Sequence, residues 1–207
     1  MEMTATLVYD LGESIAAAGF PMLTEYDPEV FRVQAAMLNL YHRCPEEEES
    51  VIPQLKRANA LAKNPADSGH VNFLKGVLVS VNVTAPIKWW IQAQRYSHFT
   101  IVSSQSTMHR GPRFNLRRML PLGFPDDLIK LLEGYQAAVE RGELSKGAFV
   151  KMLPTGLEYT ARVTTNYLQL RIMYQQRRTH TLEEWGVVCD WCKTLPLSHL
   201  ITGIEPQ

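Results

Sequence analysis

Residues 77–95 read VLVSVNVTAPIKWWIQAQR, and this stretch decides the fold class that the sequence predicts. Its first part, residues 77–83, is rich in β-branched residues and alternates between valine and polar residues in its second half, which predicts a β-strand. Pro86 is expected to end the strand, because proline has no amide to donate to a sheet. A helix is expected to begin near Ile87. The stretch therefore predicts a strand that is followed directly by a helix.

Helical patterns lie on both sides of this strand. Upstream, apolar residues recur at spacings of three and four over residues 29–42, and residues 51–62 are also expected to be helical. Downstream, the acidic pair Asp126 and Asp127 is predicted to open a helix that closes at Gly142, because carboxylates stabilise a helix N-terminus. The strand is therefore expected to lie between helical segments.

The last third of the sequence is the most strongly helical in pattern. Residues 155–178 contain no proline and are predicted to form one long helix, and residues 181–194 are predicted to form another. Thr181, with Glu184 three residues later, has the form of a capping box. Together the patterns indicate an α+β fold, with a mixed sheet flanked by helices and long C-terminal helices, in a single domain over residues 1–207.

Composition and charge exclude several classes of protein. Hydrophobic residues make up 45% of the 207 residues, and 21 basic residues balance 21 acidic ones, so no overall field favours bulk binding of nucleic acid or membrane. No apolar stretch approaches the ~18 residues of a membrane span, no basic segment resembles a signal peptide, and a cytoplasmic location is expected. The pair Cys189 and Cys192 fits packing on a helix better than a metal site, so no metal is expected.

One edge of the predicted helix 155–178 carries polar residues beside an apolar stripe. At about 100° per residue, Asn166 and Arg177 lie about 20° apart around the helix axis, and Arg162 lies on the same side. Solvation alone is the simpler explanation of such a ridge. The alternative is a partly desolvated anion site, in which the planar arginine fork holds a phosphate.

The same region resembles a known family, the flavin-dependent thymidylate synthases. The resemblance to the C-terminal pattern of that family rests on Leu153-Pro154, Thr164, Asn166, Leu170 and Arg177. It extends over roughly residues 68–190 and is typical of a divergent member. The resemblance implies that Asn166 lies against the flavin and that Arg177 contacts the substrate nucleotide.

A second segment is similar to the family's signature region. Gln92 and Arg95 fall on the glutamine and the first arginine of that signature. Upstream, His70 resembles a family histidine that precedes the strand, although a loop histidine bonded to the backbone explains it equally well. The resemblance implies that His70, Arg95 and Tyr96 bind the cofactor and that Gln92 binds the substrate.

The chain departs from the family pattern at four positions. Tyr96 and Ser97 stand where the signature continues with histidine and arginine, and Gly76 stands where a second histidine is expected. Val150 stands where an arginine is expected, with Lys151 beside it as a substitute in substrate binding. These changes predict that the fold is kept and that the binding pocket has been rebuilt.

An arginine-rich segment lies between the two matching regions. It contains Arg110, Arg113, Arg117 and Arg118. The segment is a solvated loop, a phosphate site, or part of a groove for single-stranded nucleic acid beside the aromatic residues Trp89, Trp90, Tyr96 and Phe99. By resemblance, Ser106 and Arg110 are expected to take the parts of a serine and an arginine that bind the substrate.

The resemblance implies an enzyme in which the cofactor carries the difficult chemistry. It implies FAD as cofactor, NADPH and methylenetetrahydrofolate as co-substrates, and transfer of a one-carbon unit to C5 of dUMP or a related pyrimidine nucleotide. It also implies a homotetramer. The alternative is a protein that keeps the fold, has lost catalysis, and binds a nucleotide or, with less support, nucleic acid.

Overall fold

A computed structural model describes residues 1–41 and 52–203 of the chain. The strands and helices in this part are β1 (Glu2–Tyr9), α1 (Leu11–Ala17), α2 (Pro28–Tyr41), α3 (Ile52–Ala62), β2 (Leu78–Pro86), α4 (Ile87–Ala93), β3 (Thr100–Ser104), α5 (Thr107–Arg110), α6 (Leu116–Met119), α7 (Asp126–Glu140), α8 (Lys146–Met152), β4 (Glu158–Asn166), α9 (Tyr167–Arg177), α10 (Glu183–Lys193) and α11 (His199–Thr202). The predicted α+β class is confirmed. His42 and Val51, at the ends of two predicted helices, lie outside the described residues.

The strands form one four-stranded sheet in the order β1-β2-β4-β3. The central strands β2 and β4 run antiparallel: the amide of Tyr167 donates to the carbonyl of Val77 over 3.0 Å, and the amide of Ile87 donates to that of Leu157 over 3.0 Å. The predicted strand and the helix that follows it are both present, and α4 begins at Ile87 as expected. The β2–β4 pair therefore fixes the starting points of α4 and α9.

The predicted long helix over residues 155–178 is wrong. Residues Glu158–Asn166 form β4, and the helix α9 begins only at Tyr167. The physical reason is visible in the alternation of the strand, where Ala161, Val163 and Thr165 are buried. The ridge that the helical interpretation placed along Asn166 and Arg177 therefore does not exist.

The predicted capping box at the start of α10 is also wrong. The N-cap residue is Leu182, and Thr181 lies outside the helix. The amide of Leu182 is satisfied by His180, whose ring atom Nδ1 accepts its hydrogen bond over 3.0 Å. Strands β1 and β3, which were not predicted, complete the sheet.

The chain divides into two compact units, and the expectation of a single domain stays a prediction. Unit 1 comprises Met1–Thr4 and Asn82–Val163, and unit 2 comprises Ala5–Val81 and Thr164–Gln207. The core of unit 1 contains the buried side chains Leu116, Leu120, Ile129, Leu132 and Leu157. The core of unit 2 contains fully buried Ile15, Leu38, Leu74, Tyr167, Leu170 and Trp185. In the described part of the chain, no helix is long and apolar enough to span a bilayer.

Helix α1 packs tightly against α2 in unit 2, at a point where only glycine fits. A Cβ atom at Gly12 would overlap the carbonyl oxygen of Ala35. The amide of Gly12 donates to Oδ1 of Asn39 over 2.9 Å, and Asn39 Nδ2 donates to the carboxylate of Glu13. These bonds fix α1 on α2, and Ala35 and Leu38 are buried as the helical pattern of α2 predicts.

Candidate functional site

In unit 1, three predicted site residues lie at the end of α4. Gln92 is half-buried in the last turn, Tyr96 is half-buried, and Arg95 is exposed. Trp89 and Trp90 lie in the same helix but are buried, with at most 1% of their surface exposed. Trp90 stacks on Tyr159 at 5.3 Å between ring centroids. A buried tryptophan offers no face to a base, so these aromatic residues do not support the predicted groove for single-stranded nucleic acid.

Three further predicted residues, Ser106, Arg110 and Lys151, belong to neighbouring elements of unit 1. Helix α5 packs against α8, and Arg110 ends α5 while Lys151 lies in the last turn of α8. Both basic side chains are exposed. Ser106 is the N-cap of α5, and its Oγ accepts a hydrogen bond from the amide of His109 over 3.1 Å. The Ser106 hydroxyl can still donate its proton to a ligand, although one of its two lone pairs already accepts the hydrogen bond from His109.

The arginine-rich segment contains four exposed arginines, of which Arg117 is held by two carboxylates. Arg117 Nη1 lies 2.6 Å from Oδ1 of Asp126, and its Nε lies 3.0 Å from Oε1 of Glu133. Hydrogen bonding to Asp126 and then to Glu133 raises the pKa of Arg117, and the same contact lowers the pKa of Asp126. Arg117 therefore links α6 to α7, and a ligand anion would have to compete with these two carboxylates for it. The other members, Arg110, Arg113 and Arg118, are exposed as well.

Polar side chains line one face of the β2–β4 pair in unit 1. Thr84 Oγ1 and Thr160 Oγ1 share a hydrogen bond of 2.7 Å, and Arg162 Nη1 donates to Oδ1 of Asn82 over 3.1 Å. The amide of Thr160 donates to Oε1 of Gln105 over 2.8 Å. The helical interpretation of residues 155–178 missed this face, although the alternation of β4 signals it.

In unit 2, the three predicted residues have different environments. His70 is exposed in the short 3₁₀ helix Gly69–Lys75, and its amide donates to Oγ of Ser68. Asn166 is buried as the N-cap of α9, where its Oδ1 accepts a hydrogen bond from the amide of Gln169 over 2.8 Å. Arg177 lies over the ring of Trp185, with 4.6 Å between Cζ and the ring centroid. Asn166 and Arg177 thus both have structural contacts.

The glycine that replaces an expected histidine has a steric cause. A Cβ atom at Gly76 would overlap Oγ of Ser14, a buried residue of α1. Ser14 Oγ in turn donates to Oδ2 of Asp10 over 3.2 Å. Unit 2 therefore has no room for a histidine at position 76.

Arg171 is the residue that sequence reasoning missed. It lies on α9 with only 5% of its surface exposed, and its Nη2 donates to the carbonyl oxygen of Asn64 over 2.8 Å. Within residues 1–41 and 52–203, its Nε and Nη1 atoms have no hydrogen-bond partner, and no carboxylate forms a salt bridge with it. Burial lowers the pKa of its guanidinium. The available signal was an arginine between Leu170 and Tyr174, on the apolar face of the helix.

A groove of about 500 Å³ lies beside this arginine in unit 2. One wall is the loop Pro65, Ala66 and Asp67, which directly follows Asn64; the other is Ile172, Gln175 and Gln176 of α9. Arg171 and Gln175 lie one helical turn apart, so they share a face of α9. Arg171 itself is not one of the residues that line the groove, and its Nε and Nη1 atoms are buried. It is linked to both walls, because it precedes Ile172 in α9 and bonds to Asn64, which precedes Pro65.

The fold is that of the flavin-dependent thymidylate synthases. Thymidylate synthase X from Helicobacter pylori, solved with FAD and dUMP, matches with a TM-score of 0.63 and 13% identity over 98% of this chain and 97% of that one. A UMP/dUMP methylase, PolB from Streptomyces cacaoi, solved with 5-bromo-dUMP, matches with a TM-score of 0.56 and 17% identity over 99% and 96%. No protein-family model and no curated protein matches the sequence. At these identities the likeness establishes the fold alone.

Proposed function

We propose that the protein modifies C5 of a pyrimidine nucleotide by one-carbon transfer with FAD as cofactor, with dUMP as the first substrate to test. The observation that carries the proposal is Arg171, a buried guanidinium whose Nε and Nη1 have no partner among the described residues. Such a group is costly in a folded protein unless a ligand or an ordered water satisfies it. The fold shared with enzymes solved with FAD, dUMP or 5-bromo-dUMP supplies the class of ligand.

The groove beside Arg171 has chemistry that suits a nucleotide. Its volume of about 500 Å³ falls within the ~300–1,000 Å³ of small-molecule sites. Among the lining residues, the Asp67 carboxylate and the Gln175 amide offer groups for ring N–H or ribose hydroxyl atoms. The buried Arg171 would add donors for a carbonyl or phosphate oxygen that reaches it from the groove. Uracil and flavin rings both present alternating carbonyl and N–H groups, so both chemistries fit this lining.

The cofactor would be held by the residues assigned by resemblance, namely His70, Arg95, Tyr96 and Asn166. Arg95 and His70 are exposed donors that can reach an anionic or carbonyl group. FAD, when bound, supplies the reducing equivalents, with NADPH and methylenetetrahydrofolate as proposed co-substrates. The chain's own residues bind, orient and stabilise charge.

The substrate nucleotide would be bound by Gln92, Ser106, Arg110, Lys151 and Arg177. Support in unit 1 comes from the packing of α5 on α8, which brings the exposed cations Arg110 and Lys151 onto neighbouring elements. Exposed cations on two packed helices suit a phosphate group if their side chains converge on it. In unit 2, Arg177 already contacts Trp185, so Arg171 is the stronger candidate on α9.

The absorbance spectrum of the purified protein, followed by titration with FAD and dUMP, tests the proposal. Flavin bands, uptake of FAD and saturable binding of dUMP are the expected results. Arg171→Lys should weaken dUMP binding, whereas Arg178→Lys, at an exposed position about two turns further along, should leave it unchanged. A protein that binds neither FAD nor dUMP would refute the proposal.

A second candidate is a nucleotide-binding protein that keeps the fold without catalysis. Gly76 favours it, because the Ser14 side chain excludes the histidine that the family places there. Single-turnover assays with dUMP, methylenetetrahydrofolate and reduced FAD separate the candidates, since the second binds dUMP but releases no methylated product. Nucleic acid binding is less favoured, because the tryptophans are buried.

We also propose a homo-oligomer in a reducing, cytoplasmic setting. Unit 2 exposes a group of large apolar side chains around the edge-to-face pair Phe20 and Tyr26, together with Met22 and Leu23. Contiguous exposed apolar surface marks interaction sites. Free thiols at Cys189 and Cys192 are consistent with a reducing compartment. Light scattering coupled to size-exclusion chromatography measures the assembly; a monomer at micromolar concentration would contradict it.

A further inference from the structure

We propose that Asn64 is a positioning residue for Arg171, and that the turn after α3 sets the direction in which the guanidinium faces its ligand. The effect on nucleotide binding rests on the proposed function. The positioning of the Arg171 guanidinium by Asn64 rests on the geometry alone. The contact that carries it is the 2.8 Å hydrogen bond from Arg171 Nη2 to the carbonyl oxygen of Asn64.

Asn64 is itself fixed by two bonds to one acceptor. Its amide N–H donates to the carbonyl oxygen of Leu61 over 3.1 Å, and its side-chain Nδ2 donates to the same oxygen over 2.9 Å. The side chain thus closes the C-terminal end of α3 and holds the Asn64 peptide in place. Loss of Nδ2 leaves one of these two bonds.

Pro65 adds a second restraint on the Asn64 carbonyl. A residue before proline is disfavoured in the helical region, so Pro65 narrows the range of backbone conformations open to Asn64. The loop then closes on itself, since the amide of Ser68 donates to the carbonyl of Pro65 over 3.0 Å. The same loop forms one wall of the groove.

A main-chain carbonyl orients the arginine without neutralising it. A carboxylate in the same place would pair with the guanidinium and compete with an anionic ligand. The carbonyl instead occupies Nη2 and leaves Nε and Nη1 as open donors. Because an arginine side chain has several rotatable bonds, fixing its head before binding lowers the entropy lost when the ligand binds.

The structural part is tested without ligand by ¹⁵N NMR of arginine side chains. The Arg171 signals, assigned by their absence in Arg171→Lys, should show slow rotation of the guanidinium in the wild type. Asn64→Ala should average them, and Asn64→Ser, whose hydroxyl can still donate to Leu61, should restore them. Unchanged Arg171 signals in a folded Asn64→Ala protein would overturn the inference, whether or not a nucleotide binds.

The functional part is tested by a double-mutant cycle with dUMP binding as readout. Asn64→Ala should weaken binding about tenfold in the wild type, because the Asn64 carbonyl that bonds to Arg171 is then held by one hydrogen bond to Leu61 instead of two. In the Arg171→Lys background the same change should have little further effect, because its action passes through Arg171. Additive losses would overturn positioning. A wild type that binds no dUMP would instead refute the proposed function, and the NMR result then decides the inference alone.

Discussion

Ser14 Oγ occupies the space that a side chain at Gly76 would need. The two residues belong to α1 and to the turn before β2, and both lie in unit 2. Ser14 is buried and donates to Asp10, so its hydroxyl cannot move without loss of that bond. A side chain at position 76 would therefore meet a local steric obstacle in unit 2.

Gly76→Ala should lower the free energy of unfolding by about 1–3 kcal/mol, since the added methyl group overpacks a filled site. Urea denaturation measures the change. Ser14→Ala in the same background removes the overlapping hydroxyl and should recover part of the loss. Gly134→Ala in α7 is the matched control, because a Cβ there meets no atom within 4 Å; it should stabilise by about 0.5–1 kcal/mol. Equal effects at both glycines would contradict the steric explanation.

Arg171→Met should raise the free energy of unfolding by about 1 kcal/mol while dUMP binding is lost. The substitution removes a buried charge that no carboxylate neutralises in the described structure, and methionine fills a similar volume. The control Arg178→Met, at an exposed position, should stay within about 0.5 kcal/mol. A large loss of stability in Arg171→Met would show that the arginine is a structural residue.

Asn166→Ala should cost about 1 kcal/mol, because the α9 amide of Gln169 loses its cap. Asn166→Ser keeps a capping oxygen and should keep most of the stability. If Asn166 also contacts the flavin, FAD affinity should fall in both variants. FAD titration and thermal unfolding together separate the two roles; unchanged FAD affinity in Asn166→Ala would leave Asn166 as a cap alone.

Arg177→Ala should cost about 0.5–1 kcal/mol through loss of the cation–π contact with Trp185. Quenching of tryptophan fluorescence by acrylamide should increase, since Trp185 is fully buried in the wild type. If Arg177 also binds the substrate, the affinity of the Arg177→Ala variant for dUMP should fall as well. Unchanged affinity and turnover in this variant would remove Arg177 from the substrate site.

The thiols of Cys189 and Cys192 should react slowly with iodoacetamide in the folded protein. Burial raises the pKa of both thiols, so little thiolate is present near pH 8. A thiol pKa that is higher in the folded than in the unfolded chain stabilises the fold below the unfolded pKa. That contribution is lost above about pH 8.5, where the unfolded chain ionises first. Labelling followed by mass spectrometry checks the rate, and fast labelling at pH 7 would contradict the burial.

The sequence predicted correctly those elements in which the spacing of apolar residues and the residues that end the element indicate the same structure. The helical spacing at Ala35 and Leu38, and the valine-rich β2 followed by Ile87, appear in the structure as expected. The β4–α9 boundary was missed because a proline-free segment can be either strand or helix. The β-branched pair Thr164-Thr165 favours a strand, but the predicted helix ran across it. Arg171 was missed for the same reason, since its burial depends on where α9 begins. Roles taken from resemblance, such as His70 and Lys151, stay predictions.

Because Nε and Nη1 of Arg171 have no partner in the described structure, the shift in melting temperature on adding a compound should depend on whether that compound can accept their hydrogen bonds. A ligand that satisfies Nε and Nη1 binds only the folded chain, so it raises the melting temperature by mass action. A nucleoside without a suitable acceptor would shift the melting temperature less than one that has it. A melting-temperature screen of nucleotides, bases and flavins can therefore identify the natural ligand before any assay of turnover exists.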